Sequence, residues 1–352
     1  MFPASQPNLK GNELKYVMDA ISTGWISSKG SYIENLEKAF AEYVGTKYAV
    51  ACSSGTTALH LAYSALRLDA GDEVIVPEFT MISTTLPLTY LGAKPVFVDC
   101  GDDLNIDVTK IRDAITPRTK AIVAVHIYGR PCDMDEIMKI AHEYNLYVVE
   151  DACEAHGANI GGKKVGSIGD IGCFSLFGNK IISAGEGGLI TTNSDKIADQ
   201  LRHLRTIAFD DDHSFLHPKV AYNFRLSNIQ AAVGYAQLER IDEFLLKRKQ
   251  IQGWYDAHLN KWSIPRPEGS VLWYYDIVTG SERQRDELMA HLKANGIETR
   301  RFFKPMTDQP IYKDTKELRA RDFGRCGLYL PTYVDLIKEN VDEICKKVLE
   351  IL

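Results

Sequence analysis

The feature that most constrains the fold of this chain is a rhythm of short apolar runs separated by segments of helical period. Runs at 48–52, 73–77, 95–100, 121–126 and 146–151 are rich in Val and Ile and bounded by Gly, Asp or Pro, the pattern of strands buried on both faces. Between them, 57–68, 109–115 and 134–144 repeat apolar residues at helical spacing. Strand–helix alternation of this kind implies an α/β fold with a mostly parallel sheet covered on both sides. Two more strands follow at 171–177 and 189–192, with a glycine-rich loop between them and a helix capped by Asn193 or Ser194 after them. Asp210, Asp211 and Asp212 read as an exposed acidic loop. The stretch 228–252 reads as one long helix bridging two domains. Beyond Pro265 and Pro267 come an apolar run at 271–278 and helices at 285–295 and 338–352. The expected division is a large domain over 1–240, including an N-terminal segment, and a small C-terminal α+β domain over 241–352.

Composition narrows the function classes. A chain of 352 residues that is 45% hydrophobic and 25% charged can bury a core without disulfides or metal. A formal net charge of −6 leaves no electrostatic footprint for nucleic acid or an acidic membrane surface. The seven cysteines are scattered, with no C-x-x-C pair, which argues against a zinc site and a disulfide framework and suits a reducing compartment. With no secretory pattern at the N-terminus and no run long enough to span a bilayer, the expectation is a cytoplasmic protein without metal.

Parallel sheets place their ligands beyond the carboxyl ends of their strands, so polar residues just after strands carry the chemistry. Ser53-Ser54-Gly55-Thr56-Thr57 follows the first strand and opens a helix; it suits a phosphate seat, and equally a plain N-cap. Glu150-Asp151-Ala152-Cys153-Glu154 ends the strand at 146–151. A carboxylate there caps the next helix, pairs with an arginine or faces the protonated nitrogen of a pyridine ring. Lys180 leaves a strand for a loop of small residues, Gly185-Glu186-Gly187-Gly188. Most lysines are solvated, but one placed here suits a Schiff base. Phosphate seat, ring-nitrogen acid and lysine, in that order along one sheet, form the pattern of fold-type I (aspartate aminotransferase-like) pyridoxal-phosphate enzymes.

The longer motifs TGWISSKG (23–30), SSGTTALHLA (53–62), GDEVIVPEFT (71–80), VHIYGRPCDM (125–134), EDACEAHGA (150–158), FSLFGNKIISAGEGG (174–188) and YNFRLSNIQAAVGYAQLER (222–240) resemble those of the DegT/DnrJ/EryC1/StrS sugar aminotransferases. The resemblance spans Gly11 to Pro331. Within the family it is nearest the perosamine- and viosamine-forming branch, which aminates C4 of a nucleotide-linked 4-keto-6-deoxyhexose. It implies a homodimer with a shared active site, L-glutamate as donor, and pyridoxal 5′-phosphate passing through pyridoxamine phosphate. By the same resemblance Lys180 carries the cofactor and Asp151 faces its ring nitrogen. Glu154 lies near the ring hydroxyl, Gly55, Thr56 and Ser175 hold the phosphate, and Asn223 reaches that phosphate from the other subunit. Two positions depart from the pattern. Met81 stands where an aromatic usually stacks on the ring, and Lys304 replaces a frequent His. Trp25, Ser27, His126, Tyr128, Arg225, Arg300, Phe302 and Lys304 are candidate substrate contacts; packing or solvation accounts for each equally well. Rival readings are a 3-dehydratase or 3-aminotransferase of the same family and a non-catalytic cofactor-binding regulator. Lys180 favours transfer over dehydration, since the dehydrating branch carries His there. A nicotinamide oxidoreductase would want G-x-G-x-x-G after an early strand, and only one glycine lies at 53–57.

Overall fold

Runs of Val, Ile and Ala fold into a seven-stranded sheet in this computed structural model, which describes residues 1–209, 215–313 and 318–352. Its strands are β1 (Tyr48–Cys52), β2 (Glu73–Pro77), β3 (Lys94–Val98), β4 (Thr119–Val125), β5 (Tyr147–Asp151), β8 (Ile171–Ser175) and β9 (Gly188–Thr192); a two-strand hairpin, β6 (Asn159–Ile160) and β7 (Lys163–Lys164), lies between β5 and β8. The order is β1-β9-β8-β5-β4-β2-β3. Only β9 runs against its neighbours; the β2–β3, β2–β4, β4–β5 and β5–β8 pairs are parallel. Strands β2 and β8 are buried at every position, which is why they read as continuous apolar runs rather than alternating ones.

A second, antiparallel sheet of three strands, β10 (Tyr275–Val278), β11 (Arg300–Arg301) and β12 (Gly327–Leu330), is ordered β10-β12-β11. It packs with the helices Ile241–Leu259, Glu282–Ala294 and Lys338–Leu349 around its own apolar cluster, including Ile251, Leu288, Leu328 and Ile344. The two sheets are tied by a buried ion triad. Arg130, just past β4, bonds Asp276 of β10 at 2.6 Å, and Arg266 bonds the same carboxylate. Nearby, Gly129 accepts the N–H of Val271. Its φ of +84° favours glycine, and a Cβ there would stand 2.2 Å from the Val271 carbonyl oxygen.

The structure corrects some expected boundaries. The stretch 228–252 is two helices, Asn228–Leu238 and Ile241–Leu259, not one. The break is held from the N-terminal segment: Glu239 accepts from Asn12 and Tyr16, and Arg240 donates to Asn8. Such partners lie more than two hundred residues away, beyond the reach of helical periodicity. The segment 109–115 is a 3₁₀ turn followed by a four-residue helix, and the helix expected at 57–68 starts earlier, at Gly55. The acidic loop at 210–212 lies outside the described residues. Among the described residues no helix is long and apolar enough to cross a membrane, and no cluster of three or more His, Cys, Asp or Glu is arranged to hold a metal ion.

Candidate active site

A cavity of about 270 Å³ opens at the carboxyl ends of β1, β5 and β8, where a mostly parallel sheet concentrates its loops. One wall is the N-terminus of the helix Gly55–Ala65. Ser54 caps it reciprocally: its Oγ accepts from Thr57 N at 3.1 Å, and Thr57 Oγ1 accepts from Ser54 N at 2.9 Å. With Thr57 N so engaged, Gly55 and Thr56 supply the first-turn N–H groups that have no intrahelical partner. A Cβ at Gly55 would sit 2.8 Å from the Ser175 Cβ, so the glycine lets this helix end approach Ser175.

Asp151 closes β5 and is buried. Its Oδ2 accepts from Thr84 Oγ1 at 2.8 Å and its Oδ1 from Cys153 N at 3.2 Å. Both donors are neutral, and among the described residues it forms no ion pair. Lys180 sits five residues past β8 with its side chain only 11% exposed and its Nζ 3.6 Å from Glu154 Oε1. Burial pushes the Glu154 carboxyl up to about 7 against the opposing pull of Lys180, while Tyr128 N donates to it. Met81, half its surface open at 46%, also lines the cavity.

This donor set fits pyridoxal phosphate. Free N–H groups and hydroxyls at a helix N-terminus suit a phosphate. A buried carboxylate lacking a cation suits a protonated ring nitrogen, and a desolvated amine within the same cavity suits a Schiff base. Gly55, Thr56, Met81, Asp151, Glu154, Ser175 and Lys180 all line that cavity.

The remaining expected residues lie elsewhere. His126 cannot touch a ligand in this structure: its ring is fully buried, Nε2 against Glu150 at 3.1 Å and Nδ1 accepting from Cys132 N. Tyr128 is likewise sealed among Phe79, Phe302, Phe303 and Tyr329, its hydroxyl accepting from Phe303 N. Phe302 is buried, and its neighbour Phe303 faces the cavity instead. Arg300 is exposed and pairs with Glu298, and Lys304 is exposed away from the cavity lining. Trp25 is 56% exposed and Ser27 is also open, its carbonyl accepting from Asn228 N. Asn223 is exposed and accepts from Arg225 Nε at 2.9 Å; neither lines this chain's own cavity.

Sequence reasoning missed an aromatic wall from the C-terminal third: Trp273, Phe303 and Tyr329. A signal was present. Trp273 stands two residues before β10 and Tyr329 lies within β12, while choosing Phe302 over Phe303 is a one-residue parity error in an extended segment.

The model of the DegT/DnrJ/EryC1/StrS aminotransferase family matches residues 7–349. The chain is 46% identical to a GDP-perosamine synthase of Caulobacter vibrioides, over 98% of this chain and 97% of that protein. Among solved structures, Helicobacter pylori PseC, an aminotransferase of pseudoaminic acid biosynthesis, superposes with a TM-score of 0.94 at 26% identity, covering 99% of this chain and 98% of that one. DesV of S. venezuelae, solved with a ketimine intermediate, gives 0.90 at 33% identity, covering 96% and 94%.

Proposed function

The chain belongs to the DegT/DnrJ/EryC1/StrS aminotransferase family and is a pyridoxal-phosphate-dependent aminotransferase; from that premise we propose that it aminates C4 of a GDP-linked 4-keto-6-deoxyhexose, with L-glutamate as donor. The observation that carries the chemistry is Lys180: a desolvated amine in a cavity bounded by a helix N-terminus and a buried, cation-free carboxylate. The similarity to GDP-perosamine synthases, 40–46% identical over nearly the whole chain, supports the sugar and its nucleotide.

When bound, pyridoxal phosphate supplies an electrophilic carbon for the incoming nitrogen and a ring that disperses negative charge. The protein's own residues do the rest. Gly55, Thr56 and Ser175 would hold the phosphate, where the helix macrodipole adds about half a positive charge. Asp151 would keep a proton on the ring nitrogen. Glu154 would bond the ring hydroxyl. Lys180 Nζ would take a proton and return it within each half of the reaction, taking it from the donor's Cα in the first and delivering it to the sugar's C4 in the second. Over the full cycle the donor's amino group moves to the sugar, the ketone oxygen leaves as water and another water supplies the new carbonyl oxygen, so glutamate leaves as 2-oxoglutarate and the sugar leaves as an amine.

The reading extends to a homodimer with a shared site, Asn223 reaching the partner's phosphate. The apolar residues Leu14, Met18, Ile21, Trp25 and Ile26 are exposed along one N-terminal segment, a surface that suits burial against a second copy. It also divides the chain at about residue 240, where a helix opens the unit with its own apolar cluster, and places it in the cytoplasm, which suits seven free cysteines. The test is to incubate the protein with L-glutamate and, separately, GDP-, UDP- and dTDP-4-keto-6-deoxyhexoses, and follow amino-sugar formation by mass spectrometry. Turnover confined to the GDP sugar is expected. Turnover on none, or retention of full activity in Lys180→Arg, would sink the reading.

A further inference from the structure

Trp273 has no part in the chemistry above, yet it meets the Lys180 segment twice. Its ring centroid lies 4.2 Å from Lys180 Nζ, and its Nε1–H donates to the carbonyl of Asn179 at 2.9 Å. We propose that Trp273 is a positioning residue for Lys180, its ring face being where the ammonium rests whenever the amine is not bonded to the cofactor. This rests on Lys180 being the cofactor-bearing lysine.

The argument begins with the lysine side chain, a compact, strongly hydrated charge on a flexible stem. Inside the cavity it has lost most of its water, so something fixed must replace that hydration. Glu154 is the nearest carboxyl, but burial lifts it to about 7, so near neutrality it is only partly a counter-charge. An indole face attracts a cation at every pH, and more strongly once water is excluded.

Trp273 is also built not to move. Buried Arg248, on the helix Ile241–Leu259, donates to the carbonyls of Leu272 at 3.2 Å and Trp273 at 2.8 Å. Tyr274 packs edge-on to the indole at 4.6 Å, and Tyr128 lies at 5.7 Å. The second unit thus holds a rigid aromatic plate against the lysine of the first. Resting there, Lys180 stays beside the reacting carbons between the two halves of the reaction, each of which begins with the neutral amine taking a proton and ends with the ammonium returning it. The other titratable groups around Lys180 are Asp151 at the end of β5, Cys153, Glu154 and His156 on the segment after it, Glu186 on the β8–β9 loop and Tyr329 of β12. Substituting Trp273 removes none of them.

The test reads the titration of Lys180 itself. Enzyme loaded with pyridoxamine phosphate leaves the lysine free; trace acetylation with acetic anhydride across pH, quantified on the Lys180 peptide, reports its apparent pKa. Trp273→Leu should lower that value by about one unit relative to the parent. Trp273→Phe should recover most of the difference, because it keeps a π-face while losing the N–H. Fluorinated tryptophans placed at 273 keep the shape and drain the ring's negative face, so the pKa should fall stepwise with fluorine count even if the leucine variant does not fold. A Lys180 titration unchanged across the fluorinated series would overturn the proposal, whatever happens to turnover. Separately, Lys180 labelled equally with and without pyridoxal phosphate would overturn the lysine assignment, and this inference with it.

Discussion

The floor and the wall of the cavity are made in different ways. The floor comes from loops that directly follow β1, β5 and β8, so its residues cluster in short motifs: Ser54 to Thr57, Asp151 to Glu154, Ser175 to Lys180. The wall comes from Trp273, Phe303 and Tyr329, three positions some thirty residues apart with no shared motif. Strand ends of one sheet converge because parallel pairing puts them side by side. The wall converges only because a second sheet docks on the first through Arg130, Asp276 and Arg266. Chemistry is thus encoded locally, while the shape presented to the sugar is encoded by docking.

If that division is right, floor substitutions should damage cofactor handling, and substitution of Phe303 in the wall should not; Trp273, which braces Lys180, joins the two regions. Lys180→Arg is the largest expected effect: turnover down by about 10⁴-fold or more, together with loss of the visible absorbance of lysine-bound cofactor. Asp151→Ala should follow, with kcat lower by about 10³-fold, read in steady-state kinetics, and weaker cofactor retention on dialysis. Asp276→Asn attacks the join between the two regions. It leaves two buried guanidinium groups without their counter-charge and should cost about 3 kcal/mol, seen as a lower urea midpoint. Phe303→Ala should raise KM for the sugar nucleotide about tenfold with unchanged cofactor absorbance; altered absorbance would erase the distinction between floor and wall.

The smallest effect concerns pH. His156 packs beside the rings of Phe40 and Phe174, and burial lowers its pKa from 6.5 to about 3. The folded state therefore keeps it neutral while the unfolded chain takes up a proton. Its contribution to stability is complete above about pH 6.5 and is lost as pH falls toward 3. Denaturant midpoints at pH 7 and pH 5 should differ less in His156→Phe than in the parent protein; an equal difference would assign the acid sensitivity to other groups.

The same contrast explains what was legible beforehand. Lys180, Asp151, Glu154, Gly55 and Thr56 stand at or just after expected strand ends, Ser175 follows from the family resemblance, and the structure gathers all of them in one cavity. His126 carried a similar signal and is sealed against Glu150, because position after a strand does not say which way a ring turns. Tyr128 and Phe302 are aromatics near the right motifs, yet both are packed inward. The break between 238 and 241 depended on Asn8, Asn12 and Tyr16, which no local window contains.

From the sequence alone, then, came the sheet's strands, the site chemistry and the family resemblance, because buried parallel strands have a distinctive period and reactive residues stand at their ends. Tertiary structure alone decided which aromatics line the cavity, where the long helix breaks and which ring lies against Lys180. Those outcomes depend on contacts between residues tens to hundreds of positions apart, and such contacts leave no periodic trace in the chain.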